Sequence, residues 1–63
     1  MYQVCHYDSR HCRWKYRGLT ERQAKKKLQE LAKEVHHKLK RGATSFQIPY
    51  QANEYYHYHE EVQ

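Results

Sequence analysis

The sequence predicts an α+β fold, a single two-layer domain in which one amphipathic helix packs on one face of a four-stranded antiparallel sheet. Three observations lead there. Apolar residues alternate with a period of two up to residue 17 and again beyond Gly42. Between those stretches Ala24, Leu28, Leu31, Ala32, Val35 and Leu39 recur at i, i+3 and i+4 spacing. A chain of 63 residues has room for one small core, so 1–63 reads as one basic domain of order β-β-α-β-β.

Residues 2–8 read as a strand with Tyr2, Val4 and His6 on one face and Gln3, Cys5 and Tyr7 on the other. Asp8-Ser9-Arg10-His11 has turn composition. Residues 12–17 alternate again, Cys12, Trp14 and Tyr16 against Arg13, Lys15 and Arg17. Both apolar sets fall on even numbers, so a hairpin with one apolar face needs partners whose numbers sum to an even value. A three-residue loop, Ser9 to His11, achieves this by pairing Asp8 with Cys12 and Val4 with Tyr16. The same parity sets Cys5 and Cys12 on opposite faces and excludes a bridge between them.

Thr20 is a natural helix N-cap, and Gln23 three residues on completes a capping box. Leu19 is placed to staple onto Ala24. The apolar positions form a stripe about 100° wide that runs on to Leu39. Lys38, Lys40 and Arg41 suit the negative helix end, and Gly42 is the expected stop. Phe46, Ile48 and Tyr50 then alternate with Ser45, Gln47 and Pro49, and Pro49 has no amide hydrogen for a ladder, so this strand is an edge or turns its Pro49 amide side to solvent. Residues 51–54 turn, and 55–62 form the last strand, with Tyr56 and Tyr58 inward and Tyr55, His57, His59 and Glu61 outward.

Composition narrows the function. The mean hydropathy of −1.34 is polar, yet 14% aromatic residues with only two Gly and one Pro is not the mix of a disordered chain. No apolar run approaches the roughly 20 residues of a membrane span, and the first residues are polar, so a soluble cytoplasmic protein without a membrane partner is expected. All twelve Lys and Arg lie between Arg10 and Arg41, against four acids up to Gly42, whereas the remainder holds three Glu and no Lys or Arg. A basic body of this kind suits nucleic acid, a nucleoprotein or an acidic protein surface.

The outer sheet face is the leading candidate site. On parity it carries Tyr7, Arg13, Lys15 and Arg17 from the first hairpin and Tyr55, His57 and His59 from the last strand. Lys and Arg neutralise phosphates while flat rings stack on unpaired bases. A secondary basic face on the helix comprises Arg22, Lys26, Lys33 and Lys40. The six histidines do not read as a metal site: adjacent His36 and His37 point about 100° apart on a helix, and three or four ligands must converge. No phosphate loop, nucleophile elbow or paired-acid pocket is present, so neither catalysis nor a cofactor is expected. The Tyr-rich last strand also suits a protein contact, including a homodimer formed through an edge strand.

The run from Tyr2 to Asp8, then Trp14 to Thr20 ahead of the amphipathic helix, resembles the strand-strand-helix amino-terminal DNA-binding domains of some phage integrases. The resemblance covers about half the chain, and the further strand those domains place before the helix is missing. It implies DNA binding and assigns no role to any single residue. The expected function is therefore a non-enzymatic binding module for nucleic acid or a nucleoprotein. The alternative is a small phage-type inhibitor or adaptor that docks on a host protein such as a CRISPR effector, using exposed Tyr, His and basic residues.

Overall fold

In the computed structural model, residues 1–61 are described, apart from the Trp14 side chain. The expectation that Trp14 points inward lies outside the described residues, and the last strand, expected to run to Val62, ends at Glu60. Strands β1 (Tyr2–Asp8) and β2 (His11–Leu19) form a hairpin, α1 (Glu21–Glu34) follows, and β3 (Ser45–Gln47) and β4 (Glu54–Glu60) complete the sheet. The strands pair antiparallel in the order β2-β1-β4-β3, so the first and last strands are neighbours at its centre. The fold is α+β, with the helix on one face.

The hairpin corrects the parity argument. Its loop has two residues, Ser9 and Arg10, so Asp8 pairs with His11 rather than Cys12. Near the loop Tyr7 faces Cys12, His6 faces Arg13 and Cys5 faces Trp14. One residue further along the register shifts, Lys15 is left over, and Val4 meets Tyr16 as expected. A second shift lies between Tyr16 and Leu19, where Gly18 sits at φ +68. Each bulge inserts one extra residue into β2, and each turns the side chains beyond it to the other face. Tyr16 and Leu19 thus both pack on the core, whereas Cys12 shares the outer face with Cys5. Both thiols are free, Cys5 buried and Cys12 exposed.

The helix begins as the sequence expects. Thr20 Oγ1 accepts from the Gln23 amide at 3.1 Å, and Gln23 Oε1 accepts from the Thr20 amide at 2.9 Å. Ala24, Leu28, Leu31 and Ala32 are buried against Val4, Phe46 and Tyr58, flanked by Tyr2, Tyr16, Leu19, Val35, Leu39 and Tyr56. The far end is different: α1 stops at Glu34, two turns before Gly42. His36 adopts φ +56, its amide donates to the Lys33 carbonyl at 3.1 Å, and the His37 amide donates to the Ala32 carbonyl at 2.8 Å. That pair of bonds is a Schellman motif with histidine in the place usually held by glycine. The His37 ring covers the end by stacking on Phe46, with centroids 5.1 Å apart. Leu39 reaches the core from a loop, not from a helix.

Candidate nucleic-acid interface

The expected outer-face set is divided by the first bulge. Tyr7, Tyr55, His57 and His59 do gather there, because Tyr7 pairs with Tyr55, Cys5 with His57 and Gln3 with His59. Arg13 does not: its partner His6 points to the helix side, and antiparallel partners share a face. Lys15 does not either, since its Nζ lies 5.6 Å above the ring of Tyr56, a residue packed on the core. Arg17 Nε–H donates to Glu61 Oε1 at 3.2 Å, and the Gly18 amide donates to the other carboxylate oxygen at 3.0 Å. The row of outward cations that a single parity promised is therefore broken up.

What remains on that face is a small polar core. Tyr7 and Tyr55 stack at 4.9 Å and 11°, and His57 stacks on His59 at 5.3 Å. Beneath them Cys5 is fully buried and Gln3 is only 8% exposed. His59 Nδ1–H donates to the Glu60 carbonyl at 3.0 Å, which leaves Nε2 as an acceptor. Three donors converge on it: Tyr7 Oη at 3.1 Å, Gln3 Nε2 at 3.3 Å and Cys5 Sγ at 3.5 Å. Burial first, then the neighbouring Cys12, pushes the Cys5 thiol up to about 12, and the same two causes raise Tyr7. Cys5 is thus a thiol at neutral pH, a donor rather than a nucleophile. His57 is lowered, by burial and then by His59. These rings are committed to each other and to covering the sheet.

The strongest concentration of unpaired charge lies elsewhere, at the carboxyl end of α1. A cleft of about 700 Å³ is bounded on one side by Lys25, Gln29 and Lys33, one helical flank at spacings of four. The segment His36 to Ala43 forms the other side and adds Lys38, Lys40 and Arg41. Among the described residues no Asp or Glu lines it. Lys25 pairs with Glu21 at 3.5 Å in an exposed contact, which leaves most of its charge effective. Among the described residues Lys33, Lys38, Lys40 and Arg41 make no ion pair. The far wall is shaped by a turn in which the Ala43 amide donates to the Lys40 carbonyl at 3.0 Å, with Gly42 at φ +80. Gly42, expected to end the helix, instead holds the left-handed corner of this turn.

A helix carboxyl terminus is the negative end of its dipole and would repel an anion. Here the Lys33 and Ala32 carbonyls are already bonded by the Schellman amides, and cations on both walls reverse the local sign. Of the expected helix face, Lys33 and Lys40 line this cleft, while Arg22 and Lys26 are exposed elsewhere on α1. Sequence reading places Lys25 beside the basic helix face but misses Lys38 and Arg41 as members of the same site, because a straight helix through residue 41 turns both away from Lys33 and Lys40. The density of cations between Lys33 and Arg41 is the signal it offers.

Among the described residues no three His, Cys, Asp or Glu side chains are grouped to hold a metal ion, and no helix is long and apolar enough to cross a membrane. No protein-family model, curated protein or solved structure matches this chain.

Proposed function

We propose that the protein is a non-enzymatic nucleic-acid-binding module that grips phosphates in the basic cleft between α1 and the loop after it. The observation that carries this reading is the cleft's lining of five cations with no carboxylate among the described residues. Each Lys or Arg that neutralises a phosphate releases condensed counterions, so affinity falls steeply with salt. The buried, protonated Cys5 and the ring network around His59 support binding rather than catalysis.

The test is fluorescence anisotropy with labelled nucleic acid across a salt series. Lys33→Gln, Lys40→Gln and Arg41→Gln combined should flatten the slope of log affinity against log salt by about three, close to one for each phosphate left without its cation. All three side chains are exposed, so the melting temperature should hardly move. A slope unchanged in the triple variant contradicts the assignment.

One observation favours a second reading, an adaptor or inhibitor that docks on a protein. Tyr50 is fully exposed at φ +65, a conformation that costs a bulky side chain energy. Nuclease-resistant capture of one protein, abolished in Tyr50→Gly, would favour it.

A further inference from the structure

Resting on the nucleic-acid reading, we infer that the cleft selects double-helical nucleic acid and holds it by the backbone alone, without reading sequence. Among the described residues no tyrosine lines the cleft, and neither does Phe46. Two histidines do, and the His37 ring is already stacked on Phe46 at 5.1 Å and 15°. Proteins that bind single strands draw much of their affinity from aromatic platforms on which successive bases lie. His36 is the one lining imidazole with no ring contact among the described residues, too little for a run of stacked bases.

What it offers is charge on two walls. Lys25 and Lys33 project from the helix flank, and Lys38, Lys40 and Arg41 from the loop that faces it. A phosphodiester strand laid along the cleft meets cations on both sides. A duplex carries twice the charge per unit length of a single strand and releases more counterions for each phosphate neutralised. With electrostatics as the main source of affinity, the duplex wins. Base edges are read by side chains held in fixed hydrogen-bonding geometry. Four of the five cations here have no partner among the described residues to fix them, so they follow phosphates wherever the sequence puts them.

Of the exposed tyrosines, Tyr50 lies in the turn after β3 and not in the cleft, and Tyr55 on the other side of the sheet already stacks on Tyr7. This separates the duplex reading from its rival by mutation. The experiment measures anisotropy of the whole protein with labelled duplex DNA, duplex RNA and oligothymidylate of equal length, in wild type, Tyr55→Ala and the triple cleft variant. The expected result is tighter binding to a duplex than to oligothymidylate, equal affinity for unrelated duplex sequences, and a loss of about 10²-fold or more between about 50 and 200 mM salt. Tyr55→Ala should leave duplex affinity unchanged, whereas the cleft variant should weaken it and lower its salt slope by about three. Whichever duplex binds more tightly identifies the source. Tighter binding to oligothymidylate, abolished in Tyr55→Ala, overturns the inference while leaving nucleic-acid binding in place. Duplex affinity that changes with sequence overturns backbone-only recognition. No binding to any probe overturns the nucleic-acid reading itself.

Discussion

Three residues without glycine's freedom hold left-handed backbone: Ser9 at φ +57, His36 at +56 and Tyr50 at +65. Such a conformation costs an L-residue roughly 1–2 kcal/mol, because Cβ crowds the following carbonyl. Tyr50 follows Pro49 in a turn closed by the Gln51 amide donating to the Ile48 carbonyl at 3.2 Å, and its position is the one glycine prefers there. His36→Gly and Tyr50→Gly should each raise unfolding stability by up to about 1 kcal/mol, read from urea midpoints, the gain being offset in part by the looser unfolded chain. His57 gives the pH dependence. Its folded pKa lies below the ordinary value because burial and His59 disfavour the charged ring. The neutral ring is the one the fold prefers, so its stabilisation is complete above about pH 6.5 and is lost as pH falls through the depressed folded value. Melting temperature should decline on acidification across that window, and His57→Gln should flatten the decline.

At the scale of elements, α1 shows which signals a sequence carries. Its start is legible, since Thr20 and Gln23 are the residue types whose side chains satisfy the first free amides. Thr20→Ala should cost about 1 kcal/mol, and Thr20→Ser much less, by thermal melts followed by circular dichroism. Its end is hidden. The apolar spacing continues through Val35 to Leu39, and Gly42 looks like a stop, but His36 closes the helix first in a conformation for which histidine gives no clear signal. Leu39 still reaches the core, by a loop path that periodicity imitates. The hairpin follows the same lesson. Alternation identifies both strands and the Val4–Tyr16 pair, whereas the register near the loop depends on Lys15 being unpaired, and a lysine in a strand does not announce a bulge. Gly18 is the one visible hint, a glycine inside an alternating run. A single parity applied to the whole hairpin therefore puts Arg13 and Lys15 on the wrong side.

Across the whole molecule, the two faces of the sheet do different work. One is sealed by α1 around Leu28 and Val4, and the other is closed over Cys5 and Gln3 by its own rings. Charge is concentrated where neither face needs it, around the end of the helix. The sheet also has two open rims, and both are poor templates. The β3 rim is three residues long and ends just ahead of Pro49. The β2 rim is longer, but its two register shifts bend the strand, and Arg13, Lys15 and Arg17 charge it. An incoming strand needs a flat, regular ladder of free amides and carbonyls, and neither rim supplies one. A concentrated solution held at neutral pH should therefore stay clear, with no rise in thioflavin fluorescence over days. The same Lys15 that displaces its neighbours across the pleat thus also guards the molecule against growing into fibrils.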